Sequence, residues 1–195
     1  ARAHPGEITL WCAAPLTDIA QALVLEPGLP ELVRELHFMG GSFNPMTDSR
    51  EFRHTPRREF NIRFDAEAAQ AVLRAPWPRV TCSPIDVSQH TRATPDLFTR
   101  IARADTPLAR YLDRFGQRNR PMWDEVAAAT WLDESLVTRF DDYFVEVNLH
   151  RGANYGDMLS WDAGHEPGHG ERRARIQKRL DDARFYAAFV ALCSR

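Results

Sequence analysis

"ITLWCAAPLTDIAQALVLEP", residues 8–27, holds the repeating unit of the fold. Ile8 to Cys12 is a short apolar run of the kind that forms a buried strand. Beyond Pro15, the apolar positions Leu16, Ile19, Ala20, Leu23 and Val24 recur at helical spacing, and Pro27 closes the run. The same alternation returns downstream. "ELVRELHFMGG" leads through a short helical segment into a strand ending at Gly40-Gly41. Asp65 is placed to cap the helix-forming "AEAAQAVLR", and "RVTCSPIDV" gives the next strand and an exit loop. Strands alternating with helices predict an α/β fold with an open, mainly parallel, Rossmann-like sheet flanked by helices.

The rest of the chain extends this pattern. Helices are expected near 95–103 and 107–118, and "PMWDEVAAATWLDES" reads as a nearly all-apolar helix over 122–132. "TRFDDYFVEVNL", "DMLSWD" and "RARIQKRL" are β-like, and Asp181 opens a last amphipathic helix. Residues 42–58 are polar and rich in charge, which predicts a long loop. No internal repeat or linker divides residues 1–195, so they read as part of a single domain.

Composition excludes several classes. The 195 residues are 44% hydrophobic and 27% charged, with a formal charge of −2, which gives no argument for nucleic acid or membrane binding. No run approaches the roughly 18 apolar residues of a membrane span. Cys12, Cys82 and Cys193 are odd in number and lie among apolar residues, so free thiols are expected rather than a disulfide framework. Arginine dominates the basic residues, and Lys178 is the only lysine. The chain opens without an initiator Met and runs directly into a strand, as if entered mid-domain. The expected compartment is cytoplasmic, with a signal peptide left open because of that start.

Some residues could carry chemistry. Asp124 falls in the first turn of the 122–132 helix, where the positive end of the helix dipole favours a carboxylate. A ligand-binding acid and a simple capping acid both fit that position. Pro15 cannot donate a backbone hydrogen bond, so the carbonyls of Cys12 and Ala13 end their strand with few local partners. A hard cation could use such a carbonyl with a carboxylate. "HEPGH" (165–169) satisfies H-E-x-x-H, but Pro167 and Gly168 exclude the helix that pattern requires, leaving a surface loop. Asp86, Ser88 and His90 have the residue types of a triad but crowd one loop, so local hydrogen bonds are expected. Arg57-Arg58 reads as part of a solvated loop.

Glu59 and Asn61 flank Phe60 in "REFNIRFDAEAA". In an extended segment both would face one side and suit vicinal hydroxyls.

Together these segments resemble the inosine–uridine-preferring nucleoside hydrolases. "ITLWCAAPLTDIAQAL" is similar to the family's I-T-L-x-x-x-G-P-L-T-N-L-A segment, and "FMGG" to its M-G-G strand end. "TPRREFNIRFDAEAA" resembles T-P-x-x-E-F-N-x-x-x-D-P-E-A-A, "SPIDVSQHT" resembles P-L-D-V-T-x-x, and "WDEVAAATWLDES" resembles H-D-P-x-A-x-x-x-x-L-D-P. These matches run in order over roughly residues 7–137.

The resemblance implies hydrolysis of the N-glycosidic bond of a ribonucleoside or other N-riboside at a Ca²⁺ site. It assigns Asp124 and the Ala13 backbone carbonyl to the metal. It places Glu59, Asn61, Phe60, Met39 and Asn44 around the ribose. The family's aspartate-rich D-x-D-x-G-x-D-D segment is not in this chain. The resemblance therefore implies a C-terminal part, inactive alone, completed by an N-terminal segment or a companion chain and expected to form a homo-oligomer. The family's leaving-group His is Trp123 here, and an indole can stack on a base but cannot protonate one. The alternative is a non-catalytic nucleoside- or sugar-binding relative.

Overall fold

In a computed structural model, residues 1–43 and 59–195 are described. The strands are β1 (Thr9–Cys12), β2 (Glu35–Met39), β3 (Val80–Ser83), β4 (Val137–Val147), β5 (Met158–Trp161) and β6 (Arg172–Leu180). The helices are α1 (Thr17–Leu25), α2 (Leu29–Leu32), α3 (Phe60–Phe64), α4 (Ala66–Arg74), α5 (Ile85–Ser88), α6 (Pro95–Ala102), α7 (Pro107–Phe115), α8 (Trp123–Leu132) and α9 (Asp182–Cys193). Among the described residues the strands form one sheet in the order β1-β2-β3-β6-β4-β5. β1, β2, β3 and β6 run parallel, while β4 pairs antiparallel with both β6 and β5. The expected α/β class and largely parallel sheet are what the chain adopts.

Local chemistry sets the boundaries. The Asp65 carboxylate accepts from Ala68 N at 3.1 Å, and Asp181 accepts from Arg184 N at 3.1 Å, so both expected caps form. Thr94 and Thr106 cap α6 and α7, each followed by a proline whose missing N–H costs nothing in the first turn. Where the pattern was read too generously, solvent is the reason. Val24, one of the apolar positions at helical spacing, is 81% exposed, and α8 ends with Trp131 and Leu132 uncovered.

The core lies on both faces of the sheet, and the faces differ chemically. Leu36 and Phe38 of β2, Val80 and Cys82 of β3, and Ala174 and Ile176 of β6 pack against α1 and α4 as an apolar layer. Strand alternation turns their neighbours to the other face. These are His37, Thr81, Ser83 and Gln177, all buried, on the side where Thr130 of α8 hydrogen-bonds Gln177. His37 Nε2 lies 3.0 Å from Ser83 Oγ, Ser83 Oγ donates to Gln177 Oε1 at 2.8 Å, and Gln177 Nε2 donates to Thr130 Oγ1 at 2.9 Å. Such a buried polar layer is tolerable because His37, Ser83, Gln177 and Thr130 bond to one another, while the Thr81 hydroxyl has no partner among the described residues. Further along α8, Val126 and Ala129 join Leu97, Phe98, Ile101 and Phe185 in an apolar cluster with α6 and α9.

Burial, reinforced by the Arg79 charge, lowers the His37 pKa to about 4. The unfolded imidazole takes up its proton near 6.5, so between the two values the unfolded state binds more protons. This contribution to stability is full above about pH 6.5 and is lost as pH falls toward 4, a span worth about 3 kcal/mol. Urea midpoints measured across that window should fall with pH, and His37→Gln should flatten the slope. An equally steep slope in the variant would assign the acid sensitivity elsewhere.

Candidate functional site

The carboxyl ends of β1, β2 and β3 open on a cavity of approximately 380 Å³ lined by Ala13, Met39, Glu59, Phe60, Asn61, Ile85, Trp123 and Asp124. Loops leaving the carboxyl ends of parallel strands are where open α/β sheets hold ligands. Ala13 comes from the β1–α1 turn, Met39 from the last position of β2, and Ile85 from the start of α5. Trp123 and Asp124 begin α8.

Glycine makes the β2 end possible. A Cβ on Gly40 would meet Glu59 Oε2 at 3.3 Å and Asn61 Cβ at 3.5 Å, and Gly41 adopts φ +79°, a conformation costly for other residues. Into this space the buried Glu59 sends its carboxylate, which accepts from Gly41 N at 3.0 Å, Asn61 N at 2.9 Å and Ile62 N at 3.0 Å. Burial raises the Glu59 pKa, and these backbone donors oppose the rise. Glu59 is therefore the N-cap of α3, and the segment expected to be extended is helical from Phe60. The cap, absent from any count of apolar periodicity, is the reason. Both Glu59 and Asn61 still border the cavity. Asn61 donates Nδ2 to Met39 O at 3.0 Å, which leaves its Oδ1 without a hydrogen bond among the described residues. Phe60 is 68% exposed and stacks at a tilt on Phe64, with centroids 5.4 Å apart.

On the opposite wall, Asp124 makes no hydrogen bond or ion pair among the described residues, whereas its neighbour Glu125 is paired with Arg120. Asp124 is open to the cavity, yet surrounding protein raises its pKa; Glu125 adds to the rise and Arg120 opposes it. Trp123 lines the cavity while its Nε1 is buried with no hydrogen-bond partner among the described residues. Among the described residues no group of three or more His, Cys, Asp or Glu side chains could hold a metal ion.

The cavity thus gathers Ala13, Met39, Glu59, Phe60, Asn61, Trp123 and Asp124, and Asn44 lies outside the described residues. Ile85 was missed, since an isoleucine after a strand carries no signal of its own. The set-aside motifs fall elsewhere. His90 is exposed and lies 3.0 Å from Asp182 Oδ1, so its partner is far in sequence rather than local. The His165–His169 stretch is irregular, with Gly168 at φ +78°, and all three cysteines are free. Among the described residues no helix is long and apolar enough to cross a membrane.

Comparisons with known proteins agree on one family. The model of the inosine-uridine preferring nucleoside hydrolases matches residues 1–187. A putative pyrimidine-specific ribonucleoside hydrolase RihB of Shigella dysenteriae is 30% identical over 174 residues, covering 83% of this chain and 61% of that protein. RihB of Escherichia coli K12 is 29% identical, with 83% of this chain and 53% of the relative covered. Among solved structures, a plant nucleoside hydrolase superposes with TM-score 0.84 at 21% identity, covering 99% of this chain and 64% of its own. A purine-preferring ribonucleoside hydrolase from Gardnerella vaginalis gives 0.79 at 19% identity, covering 99% and 62%. These structural likenesses establish the fold. The chain spans between about half and two thirds of the length of the proteins it matches.

The geometry around Glu59 makes a prediction of its own. Glu59→Ala strands three backbone N–H groups in a buried place, and unsatisfied donors of this kind cost about 1–3 kcal/mol each. With partial relaxation, the variant should lose about 3 kcal/mol in urea unfolding, whereas Phe60→Ala at the exposed rim should change stability by no more than about 0.5 kcal/mol. Equal losses in both variants would mean that Glu59 does not hold the strand end to α3.

Proposed function

Because the chain belongs to the inosine-uridine preferring nucleoside hydrolase family, we propose that its cavity holds the ribose of a ribonucleoside and serves hydrolysis of the N-glycosidic bond to ribose and free base. The observation that carries this reading is the gathering of Asp124, Asn61, Glu59 and Met39 around one cavity at the carboxyl ends of the parallel strands. Asn61, with Oδ1 open, is the contact we assign to a ribose hydroxyl, and Nδ2 anchors it to Met39 O. Glu59 faces the same hydroxyls with whatever acceptor capacity its three backbone donors leave, and it holds Asn61 in place. Met39 and Ile85 give the sugar an apolar floor, and Phe60 lies at its edge.

The chemistry of the donor set fits part of a calcium site. Asp124 is an unpaired carboxylate whose pKa is raised without a cation, and Ala13 borders the same cavity. Two oxygens are too few for calcium, which takes about six to eight. We assign the remainder to an aspartate-rich segment that this sequence does not contain. Bound there, calcium would supply a fixed positive charge that orients ribose and makes a coordinated water more acidic. The residues of this chain hold the sugar while the carbon–nitrogen bond breaks toward an oxocarbenium-like sugar, the bonding pair leaves with the base, and water adds at the anomeric carbon, the proton it sheds balancing the one the departing base takes up.

Trp123 favours a second reading. It offers an aromatic wall on which a base can stack, but no proton for the departing nitrogen. A relative that binds nucleosides without cleaving them would have the same cavity.

The two readings separate in one assay. Protein carrying both this chain and the aspartate-rich segment is incubated with a panel of ribonucleosides and with p-nitrophenyl riboside, and ribose release is followed. Hydrolysis is expected, and Asp124→Ala should lower kcat/KM by at least about 100-fold, the scale of losing a group that acts in the transition state, together with calcium affinity. Binding of ribonucleosides without any release would establish the second reading, and calcium retained by Asp124→Ala would refute the metal assignment.

A further inference from the structure

The buried polar face of the sheet has a direction, which follows from counting protons. Ser83 has one hydroxyl proton and gives it to Gln177 Oε1 at 2.8 Å, so the 3.0 Å contact with His37 is a donation from His37 Nε2–H. Gln177 Nε2 donates to Thr130 Oγ1 at 2.9 Å, and Thr130 in turn donates to the Val126 carbonyl at 2.8 Å. One ordered series therefore starts on β2, crosses β3 and β6, and ends on the backbone of α8, two residues along from Asp124. Every member is at least nine-tenths buried. Beside it, Ala127 of α8 packs with Met39 and Ile85. Nothing else among the described hydrogen bonds ties the first two turns of α8 to the sheet.

We infer that Gln177 is a positioning residue: its carboxamide fixes the height and rotation of α8 on the sheet, and through α8 it sets where Asp124 and Trp123 stand in the cavity. The structural half of this inference is independent of the nucleoside reading. Its functional half rests on that reading. Glutamine suits the place because it accepts from one hydroxyl and donates to another at fixed spacing. An apolar residue of similar size would leave Ser83 and Thr130 with unmet bonds. A helix released from this contact would keep its apolar packing on α6 and α9 and lose its register on the strands.

The test is hydrogen–deuterium exchange on the protein and its Gln177→Leu variant, followed element by element. Exchange over residues 123–132 is expected to accelerate about tenfold or more, with the amides of α4, on the other face of the sheet, unchanged. Uniform acceleration across all elements, or none in α8, would overturn the inference. If Gln177→Leu does not fold, Thr130→Val breaks the same link at constant volume and must give the same local pattern. Thr81→Val is the control, since Thr81 is buried on the same face and its hydroxyl has no partner; it should leave α8 exchange untouched. In protein carrying the aspartate-rich segment, Gln177→Leu should also weaken calcium binding about tenfold or more, as removing support behind a ligand does. Calcium binding unaltered while α8 exchange rises would confine Gln177 to the helix and remove it from the site.

Discussion

The central strands are buried on both faces, and only one face is apolar. A parallel sheet covered on both sides normally reads as continuous hydrophobic sequence, because water reaches neither face. Here His37, Ser83 and Gln177 are shut away from water with α8 over them, and desolvation forces them to find partners inside. The packing of α8 is therefore decided by hydrogen-bond geometry as much as by shape. Apolar contacts would tolerate several registers of a helix rich in alanine. A carboxamide between two hydroxyls tolerates one. The start of α8, with its aromatic ring and its carboxylate, inherits that definition, and so does the cavity below it.

Much of this was legible in the sequence, and the failures share a cause. Strand–helix alternation, the Asp65 and Asp181 caps and the exclusion of the H-E-x-x-H helix all depend on residues a few positions apart, and these expectations agree with the structure. The candidate site was legible through motif likeness, which drew attention to residues far apart in the chain that the fold brings to one cavity. What eluded local reading were effects of distant neighbours. Glu59 caps a helix with the help of Gly41, which lies beyond the polar segment that separates them. His90 meets Asp182 of a helix near the other end of the chain. The alternation within "ELHFM" and "RARIQKRL" is visible in the sequence, but what its polar half meets is not. Only the cross-strand register shows that those side chains meet each other.

The relatives name different bases. RihB is described as pyrimidine-specific, whereas a similar fold belongs to a purine-preferring enzyme. The Glu59 and Asn61 side of this cavity is built from backbone-anchored groups, which adjust little. The Trp123 side presents a ring whose Nε1 has no hydrogen-bond partner among the described residues. A cavity divided in this way can keep its backbone-anchored side while the Trp123 side is rewritten.

The grip of Glu59 on Gly41, Asn61 and Ile62 also has a meaning for the evolution of chain length. One carboxylate joins Gly41 to Asn61 and Ile62, so two points far apart in the chain are held together by Glu59 alone. The entropy of closing a loop between fixed ends grows only logarithmically with its length, about 0.6 kcal/mol per doubling. By that scaling, a change in the number of residues between two points fixed in this way costs little, while the wall built on Glu59 and Asn61 stays as it is. A clasp of this kind lets a lineage vary chain length between its two ends without disturbing the scaffold that carries it.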